Sequence, residues 1–213
     1  MEFDDVVRRR RMVRRYTDEP VPREIVDGIL QNALRAPSAG FTQGTCFLVL
    51  DTLEDIVRFR ASVTPLSHSE NWYASSVDAP VVIVPLSDKS AYLDRYAQPD
   101  KGFTSRSDTW WPAPYWDIDA GMAALLILLG AVDRGLGACF FGLPKQRTDE
   151  FRAVFSVPSK YSPIGAISIG YPDEQAADLS AYRKSPAELI HRGHWGETPG
   201  ISPFDIHGTP GAF

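Results

Sequence analysis

The 213-residue sequence predicts an α+β fold in which a central sheet lies between layers of helices. Two observations lead to this prediction. Residues 79–86 form an apolar run without polar alternation, which is typical of a strand that is covered on both faces. Such runs alternate with segments that have apolar residues at helical spacing, such as the one that begins at Pro22. No linker interrupts the series, so we expect residues 1–213 to form a single domain.

Apolar periodicity also predicts the elements of the first half of the chain. Phe3, Val6 and Val7 recur at helical spacing, which indicates a short first helix. A second, amphipathic helix begins at Pro22 and ends before Pro37. This half is completed by a strand at residues 45–50, a helix at residues 53–61 and the strand at residues 79–86.

Residues 87–116 lack a steady period, so we interpret them as an insertion. The apolar stretch at residues 120–132 predicts a helix buried inside the protein, which Asp117 or Asp119 caps and Gly135 ends. This stretch is shorter than the ~18 to 20 residues that cross a bilayer, so we expect no membrane segment. The remaining predicted elements are strands at residues 137–141 and 164–169, helices at residues 146–155 and 186–191, and an extended C-terminal tail at residues 193–213.

The composition argues against several classes of protein. The chain has 22 basic and 27 acidic residues, and its net charge of −5 disfavours nucleic acid as a partner. Cys46 and Cys139 lie in apolar stretches and the N-terminus has no secretory signal, so we expect a cytoplasmic protein. Glu188, His191 and His194 have the spacing of metal ligands but lack a fourth ligand nearby, and we predict no metal site.

Six arginines lie within residues 8–15, at the end of the first predicted helix. Such a run is most often a solvated basic face. A nucleic-acid patch would need an accompanying binding module, which the sequence lacks. Alternatively, the guanidinium groups bind a small phosphate, because their planar donor pairs match its oxygens better than lysine does. The arginines alone leave the solvated face and the phosphate site both open.

Motifs around this run favour the phosphate site. The run continues into residues 16–24, which read Tyr-Thr-Asp-Glu-Pro-Val-Pro-Arg-Glu. The second predicted helix ends at residues 36–44 in Ala-Pro-Ser-Ala-Gly-Phe-Thr-Gln-Gly. Together these segments resemble the openings of the nitroreductase family of flavin enzymes. The resemblance extends, in the family order, to residues 134–137, 169–172 and 183–186, so it covers nearly the whole chain.

The resemblance implies a nitroreductase-like three-layer sandwich with a mixed, mainly antiparallel sheet, and a homodimer with FMN at the interface. The apolar stripe of Leu125, Leu126, Leu128 and Leu129 would then be covered by the partner. The implied activity is transfer of hydride from NAD(P)H to the flavin and reduction of nitroaromatic or quinone-like acceptors by a ping-pong mechanism. The alternatives are a same-fold flavoenzyme of another class (metabolite or peptide oxidation, reductive dehalogenation, flavin fragmentation) and a non-catalytic flavin-binding protein.

The resemblance also implies cofactor contacts for particular residues. Arg10, Arg11 and Arg14 occupy the family's first flavin motif, in which Arg10 would hold the phosphate and Arg14 would lie near the N1/O2 edge of the ring. A fixed cation at that edge stabilises the negative charge that develops there on reduction. Met12 stands where the family usually has serine, so one hydroxyl contact to the phosphate is lost.

Other segments are expected to complete the site. Phe140, Phe141 and Gly142 would run beside flavin N5 without the glutamate often found there, so that backbone N–H groups act in its place. Asn71 is either an amide that bonds the flavin or a plain helix cap. The remaining expected contacts are Pro37, Ser38 and Ala39 on a loop that reaches the partner's flavin, and Arg183 or Lys184 on the phosphate.

The insertion at residues 87–116 is dense in aromatic side chains. Each ring could pack over the sheet edge, whereas the group favours a wall or lid beside the flavin that receives a small aromatic acceptor. No side chain is expected to be a catalytic acid or base, because the flavin carries the redox chemistry. The aromatic residues are Tyr92, Tyr96, Phe103, Trp110, Trp111, Tyr115 and Trp116.

Overall fold

The computed structural model describes residues 1–64, 78–102, 105–174 and 179–196. Asn71, Phe103 and the tail beyond residue 196 lie outside the described residues. Internal contacts divide the chain into two units, Met1–Gln175 and Ala176–Phe213, and each is described by itself. The expectation that residues 1–213 form one domain stays a prediction.

Seven helices and five strands of the described residues carry labels here. The helices are α1 (Phe3–Arg9), α2 (Arg23–Ala33), α3 (Leu53–Val63), α4 (Lys89–Tyr96), α5 (Tyr115–Asp133), α6 (Thr148–Phe155) and α7 (Pro186–Leu189). The strands are β1 (Thr45–Leu50), β2 (Val81–Asp88), β3 (Gly137–Phe141), β4 (Tyr161–Pro163) and β5 (Ala166–Gly170). Short 3-10 turns lie at Ala39–Phe41, Pro99–Lys101, Lys145–Arg147 and Ser180–Tyr182.

The strands form one sheet in the order β1-β2-β5-β3, and β4 pairs with the last residues of β2. Every strand pair in this sheet is antiparallel. A parallel bridge between Met12 and Ala138 adds the chain that follows α1 to the β3 edge. The predicted, mainly antiparallel sheet is therefore confirmed, and among the described residues its parallel component is this isolated bridge.

Helices cover both faces of the sheet, because successive side chains of a strand point to opposite sides. In β2, Val81 and Ile83 pack with α2 and α5 in one buried cluster. Val82 and Val84 pack with α3 and α6 in a second buried cluster. All eight residues of β2 are buried, as predicted for a strand covered on both faces. The three-layer sandwich is confirmed.

The long helix α5 begins earlier than predicted, and neither proposed carboxylate caps it. Its N-cap position is Pro114, so the prediction that Asp117 or Asp119 caps the helix is wrong. Asp117 instead accepts a hydrogen bond of 2.7 Å from the Ser87 hydroxyl, and Asp119 lies further inside the helix. Gly135, at φ 76°, ends the helix in the left-handed conformation that glycine adopts readily, as predicted.

One face of α5 is open to solvent in the single chain. Ile118 is 42% exposed and Leu125 is 48% exposed. The two residues lie about two helical turns apart, on the same side of the helix. Leu128 is only 6% exposed and packs in the core with α2, so its assignment to the open stripe is wrong. At 100° per residue, position 128 lies on the same side as Ala124 and Ala131. By length and composition α5 could cross a membrane, a test that core helices of soluble proteins also pass.

Two elements were not predicted. The first residues of the insertion, Ser87 and Asp88, end β2, and α4 follows directly with Asp88 as its N-cap. The last insertion residues, Tyr115 and Trp116, begin α5. Strand β4 has only three residues, too few to show a period. The insertion is thus shorter than predicted and begins with a helix.

Candidate active site

The backbone of residues 10–15, the arginine segment, is anchored on the edge strand β3. The Val13 N–H donates a hydrogen bond of 3.0 Å to the Ala138 carbonyl, and Met12 bridges the same residue. A Cβ atom at Gly137 would lie 2.7 Å from Val13 Cγ1, far inside van der Waals contact. Glycine at position 137 therefore allows the arginine segment to lie this close to the sheet.

Side chains on both sides fix the segment further. The Tyr16 hydroxyl bonds the Val13 carbonyl and lies 2.8 Å from the Ser168 hydroxyl. Burial raises the pKa of Tyr16, so its hydroxyl remains protonated near neutral pH. Glu174 accepts the Arg14 N–H at 2.6 Å and the Arg15 side chain at 3.3 Å. The position of the Arg14 backbone is thus set from two directions.

The six arginines of residues 8–15 divide into two groups. Within the described residues, the guanidinium groups of Arg10 and Arg14 form no hydrogen bond and no ion pair. The other four are engaged: Arg8 with Asp5, Arg9 with the sulfur of Met1, Arg11 with the carbonyl oxygens of Arg8 and Arg10, and Arg15 with Glu174. Arg10 and Arg14 therefore present ready donor pairs to an anion.

The expected contacts beside flavin N5 lie at the other end of β3. Phe141 is buried in the second core cluster, where its ring meets the edge of Phe59 at 6.5 Å. Its side chain points into the core, so only its backbone can serve a ligand. A Cβ atom on Gly142 would meet nothing within 4 Å, which leaves that backbone open. Phe140 is half-buried.

Residues 37–43 form a loop with an unusual backbone, the 37–43 loop. Gly40, Phe41 and Gln43 have φ values of 61°, 54° and 55°. For the two residues with side chains this left-handed conformation costs about 1–2 kcal/mol each. Phe41 is 78% exposed, so burial of its ring does not offset the cost. Other contacts must hold the loop.

Those contacts come mainly from α4 and α5. Asp119 Oδ2 accepts the Ala39 N–H and the Tyr92 hydroxyl, both at 2.7 Å. Arg95 Nε donates to the Gly40 carbonyl at 3.1 Å. Within the loop, the Ser38 hydroxyl oxygen accepts the Gln43 N–H at 3.0 Å. Burial and the Asp119 hydrogen bond raise the pKa of Tyr92, which keeps it a donor.

The aromatic residues of the insertion pack together and also line a cavity. Trp111 contacts Tyr96 at 4.5 Å and Tyr115 at 5.6 Å between ring centroids. Tyr92 is fully buried beneath these rings and is not part of the wall. The cavity has a volume of about 210 Å³ and is lined by Ala39, Tyr96, Trp110, Trp111, Pro112 and Tyr115. Ala39 thus belongs both to the 37–43 loop and to the cavity.

The late basic residues belong to the second unit. Arg183 and Lys184 are exposed and precede α7, where Ser185 and Glu188 form a capping box. Their expected phosphate contact, like the contact expected from Asn71, stays a prediction. Among the residues that the structure describes, no three His, Cys, Asp or Glu side chains form a group that could hold a metal ion.

Sequence reasoning missed several residues that shape this site. Gly137 and Glu174 hold the arginine segment, and neither belongs to a pattern that would have revealed the contact. Arg95 reaches the 37–43 loop from an unpredicted helix. Asp119 did give a signal, because it is the only charged residue in the apolar stretch of residues 118–132. Its position at the start of that stretch predicts a local cap, whereas the structure gives it a tertiary contact.

Comparisons with known proteins agree with this architecture. The chain is 31% identical over 197 residues to a Methanothermobacter thermautotrophicus protein provisionally named NADH dehydrogenase/NAD(P)H nitroreductase, which covers 92% of this chain and 88% of the relative. An FMN-dependent nitroreductase of Clostridium difficile superposes with a TM-score of 0.67 at 28% identity, over 89% of this chain and 98% of that one.

A second solved structure, from Desulfovibrio desulfuricans, is provisionally named a nitroreductase and contains FMN. It superposes with a TM-score of 0.68 at 25% identity, over 89% of this chain and 95% of that one. The family profile described as "Nitroreductase family" matches residues 7–171, which is most of the chain. That span includes the arginine segment, the 37–43 loop and the whole sheet, and this chain belongs to the nitroreductase family.

Proposed function

We propose that this chain is an FMN-dependent NAD(P)H oxidoreductase that reduces nitroaromatic or quinone-like acceptors by a ping-pong mechanism. One observation carries the proposal. Of the three arginines that the resemblance assigns to the first flavin motif, Arg10 and Arg14 have guanidinium groups that form no hydrogen bond or ion pair in the described residues. The third, Arg11, donates to the carbonyl oxygens of Arg8 and Arg10, and its contact with the cofactor stays a prediction. A solvated basic face alone does not predict that both unpaired arginines belong to that motif.

The residues present fit the cofactor. Arg10 has a free donor pair, and guanidinium binds phosphate oxygens with two parallel hydrogen bonds. The Gly142 backbone is open at the far end of β3. When bound, FMN supplies a centre that accepts hydride from NAD(P)H and gives it to the acceptor.

Arg14 has the electrostatic role in this scheme. Its backbone is fixed by Glu174, and its guanidinium, unpaired among the described residues, would become ordered on the N1/O2 edge of the flavin, where a cation stabilises the charge that develops on reduction. Tyr16 directly follows the arginine segment. Burial raises its pKa, and its hydroxyl is engaged with Val13 and Ser168. It therefore supports the arginine segment and does not transfer a proton.

A homodimer is part of the proposal. The open face of α5 includes Ile118 and Leu125, and an apolar helix face of this kind is stable in water when a second copy covers it. The family arrangement would bring Pro37, Ser38 and Ala39 of one copy to the flavin of the other. A cytoplasmic location remains a prediction.

The aromatic cavity suits the acceptor. Four rings and a proline line it, and their flat faces favour a planar aromatic molecule. Its volume of about 210 Å³ admits a small ligand of one or two rings but not a bulky one. Ala39 connects the cavity to the loop that is expected to contact the flavin.

Titration with FMN, followed by anaerobic rapid mixing with NADH and with NADPH, tests the proposal. We expect saturable FMN binding and fast loss of the yellow absorbance with at least one of the two donors, followed by its return on addition of 1,4-benzoquinone. Absence of FMN binding overturns the proposal. Binding without reduction by either donor excludes the NAD(P)H oxidoreductase and favours another flavoenzyme class.

A further inference from the structure

We infer that Asp119 is a positioning residue that fixes the 37–43 loop for the cofactor and for the acceptor cavity. The inference deepens the proposed function and rests on it, but the contacts that carry it are independent of any ligand. They are the hydrogen bonds from Ala39 and Tyr92 to a single oxygen of Asp119, both 2.7 Å long.

The placement of this carboxylate is costly for a purely structural role. Asp119 is 3% exposed and is the only charged residue in residues 118–132 of α5. In the described part of the chain, no lysine or arginine forms an ion pair with it. An apolar residue of similar size would suit the helix at least as well. The charge is therefore retained for the two donors that it binds.

One of those donors sets the course of the loop. The Ala39 N–H follows Ser38 and precedes the left-handed residues Gly40 and Phe41. Holding this amide on Asp119 fixes the start of the strained turn, and Arg95 holds its middle through the Gly40 carbonyl. A backbone kept in a sparsely populated conformation by surrounding contacts is typical of functional loops.

The other donor ties the loop to the aromatic insertion. Tyr92 is fully buried on α4, and its ring meets Trp111 at 6.1 Å and Trp116 at 6.5 Å. Trp111 in turn lines the cavity together with Ala39. Asp119 thus joins the loop and the cavity wall at one atom, and a change at Asp119 should disturb both.

Three variants test this role, with a matched control two residues earlier in the same helix. Asp119→Ala removes the acceptor that both donors share, Asp119→Asn keeps an oxygen that accepts the same hydrogen bonds, and Tyr92→Phe removes one donor. The control is Asp117→Asn, which removes the neighbouring carboxylate, keeps an oxygen for the Ser87 hydroxyl and has no hydrogen bond to the loop. If Asp119→Ala does not fold, the comparison of Asp119→Asn with Tyr92→Phe remains decisive.

The first readout is hydrogen exchange of the peptide that spans residues 37–43 in the protein without added FMN. We expect at least tenfold faster exchange in Asp119→Ala, an intermediate change in Tyr92→Phe, and values near wild type in Asp119→Asn and Asp117→Asn. Exchange in α2 should not change. Unchanged exchange of the loop in both Asp119→Ala and Tyr92→Phe overturns the inference.

The second readout separates positioning from stability alone. We expect Asp119→Ala to weaken FMN binding and to raise the KM for 1,4-benzoquinone, each by at least fivefold, with partial recovery in Asp119→Asn. A faster-exchanging loop with unchanged FMN affinity and unchanged KM also overturns the inference. If the wild type does not bind FMN, the proposed function fails, and the exchange readout alone decides whether Asp119 fixes the loop.

Discussion

The arginine segment and the 37–43 loop are held in opposite ways. In the arginine segment the backbone is anchored by the sheet through Val13 and Ala138, and two side chains are left to meet a ligand. In the 37–43 loop the backbone is strained, and side chains from other helices, Asp119 and Arg95, keep it in place. A segment that binds a ligand through its side chains needs a fixed backbone. A segment that binds through its backbone needs side chains from other elements to hold that backbone in place.

The two regions also differ in the source of their stability. The arginine segment lies on β3, whose Ala138 belongs to the buried cluster that contains α2 and α5, so it shares the cooperative stability of the sheet. The loop depends on a few polar contacts that are each worth about 1–3 kcal/mol when a partner is removed. We therefore expect the loop to loosen under conditions that leave the arginine segment in place.

The largest effect is expected from a change that prevents dimerisation, because the arginine segment of one copy then cannot meet the 37–43 loop of the other at the flavin. Leu125→Glu places a carboxylate on the open face of α5, where covering by a second copy would bury it at a cost of several kcal/mol. Sedimentation should show monomers at micromolar concentration. The affinity for FMN should fall as well, because the dimer interface that is expected to bind it is lost. Val57→Glu, on the exposed side of α3, is the control and should leave a dimer. A dimeric Leu125→Glu protein would contradict this assignment of the interface.

The second effect concerns the phosphate. Arg10→Ala should weaken FMN binding by about 1.5–3 kcal/mol, or roughly 10- to 150-fold, because a charge-assisted hydrogen-bonded pair is lost. Arg9→Ala is the control, since its side chain contacts only the sulfur of Met1 among the described residues. Fluorescence titration with FMN measures both. Equal affinities of the two variants would return the whole run to a solvated basic face.

The layers of the fold could be predicted because the spacing of apolar residues in most of its strands and helices is unambiguous. The strands β1 and β2 are apolar runs bounded by polar residues, and α2 has a clear apolar stripe. Helix α4 was missed because Tyr92 is its only buried residue and charged residues surround it. The direction of Leu128 was also missed, since α5 is apolar on all sides and its sequence does not show which side faces the core.

The site was predictable where function depends on residue type along a short segment. Arg10 and Arg14 follow from a local motif, and the structure gives them the freedom that a ligand needs. The contacts of Asp119 join residues 80 and 27 positions apart in the chain. No periodicity or spacing encodes such pairs, because they depend on how helices pack, and so the loop's support could be found only in three dimensions.

The third effect separates binding from chemistry in the arginine segment. Arg14→Met keeps an apolar stem and removes the charge, so it should lower the reduction potential of bound FMN while much of the affinity for the oxidised cofactor remains. A shift of about 30–60 mV corresponds to about 1.4–2.8 kcal/mol for a two-electron couple. Titration against a reference dye measures it, with Arg15→Met as the control. An unchanged potential would assign the electrostatic role to backbone N–H groups near Gly142.

The smallest effect is expected from the pH dependence of the cap of α4, the helix that supports the 37–43 loop. Asp88 is the N-cap of α4, where it accepts the Ala91 N–H at 3.1 Å and bonds Lys160 at 2.8 Å. Burial alone would raise the pKa of Asp88, but the hydrogen bonds from Lys160, Ser90 and Ala91 outweigh it and lower the pKa below its usual value. A carboxyl with a lowered pKa in the folded state stabilises the fold above its unfolded pKa of about 3.9, and this contribution is lost as the pH falls further.

Lys160→Met should therefore reduce the free energy of unfolding near pH 7, and only modestly, because the lysine is 53% exposed and solvent screens the pair. The difference from wild type should begin to shrink as the pH falls through the unfolded pKa of about 3.9 and should vanish below the lowered pKa that Asp88 has in the folded wild type. Urea unfolding at several pH values measures it, and Lys89→Met, whose partner Asp108 is exposed, serves as the control. Asp88 caps the helix that carries Tyr92 and Arg95. Hydrogen exchange of the 37–43 loop, corrected for the intrinsic exchange rate at each pH, should therefore become faster over the same pH range. Residues around Val13 should stay protected. A stability difference that persists once Asp88 is protonated in both proteins would mean that Lys160 acts through its cation–π contact with the Tyr161 ring, at 4.5 Å, and not through Asp88.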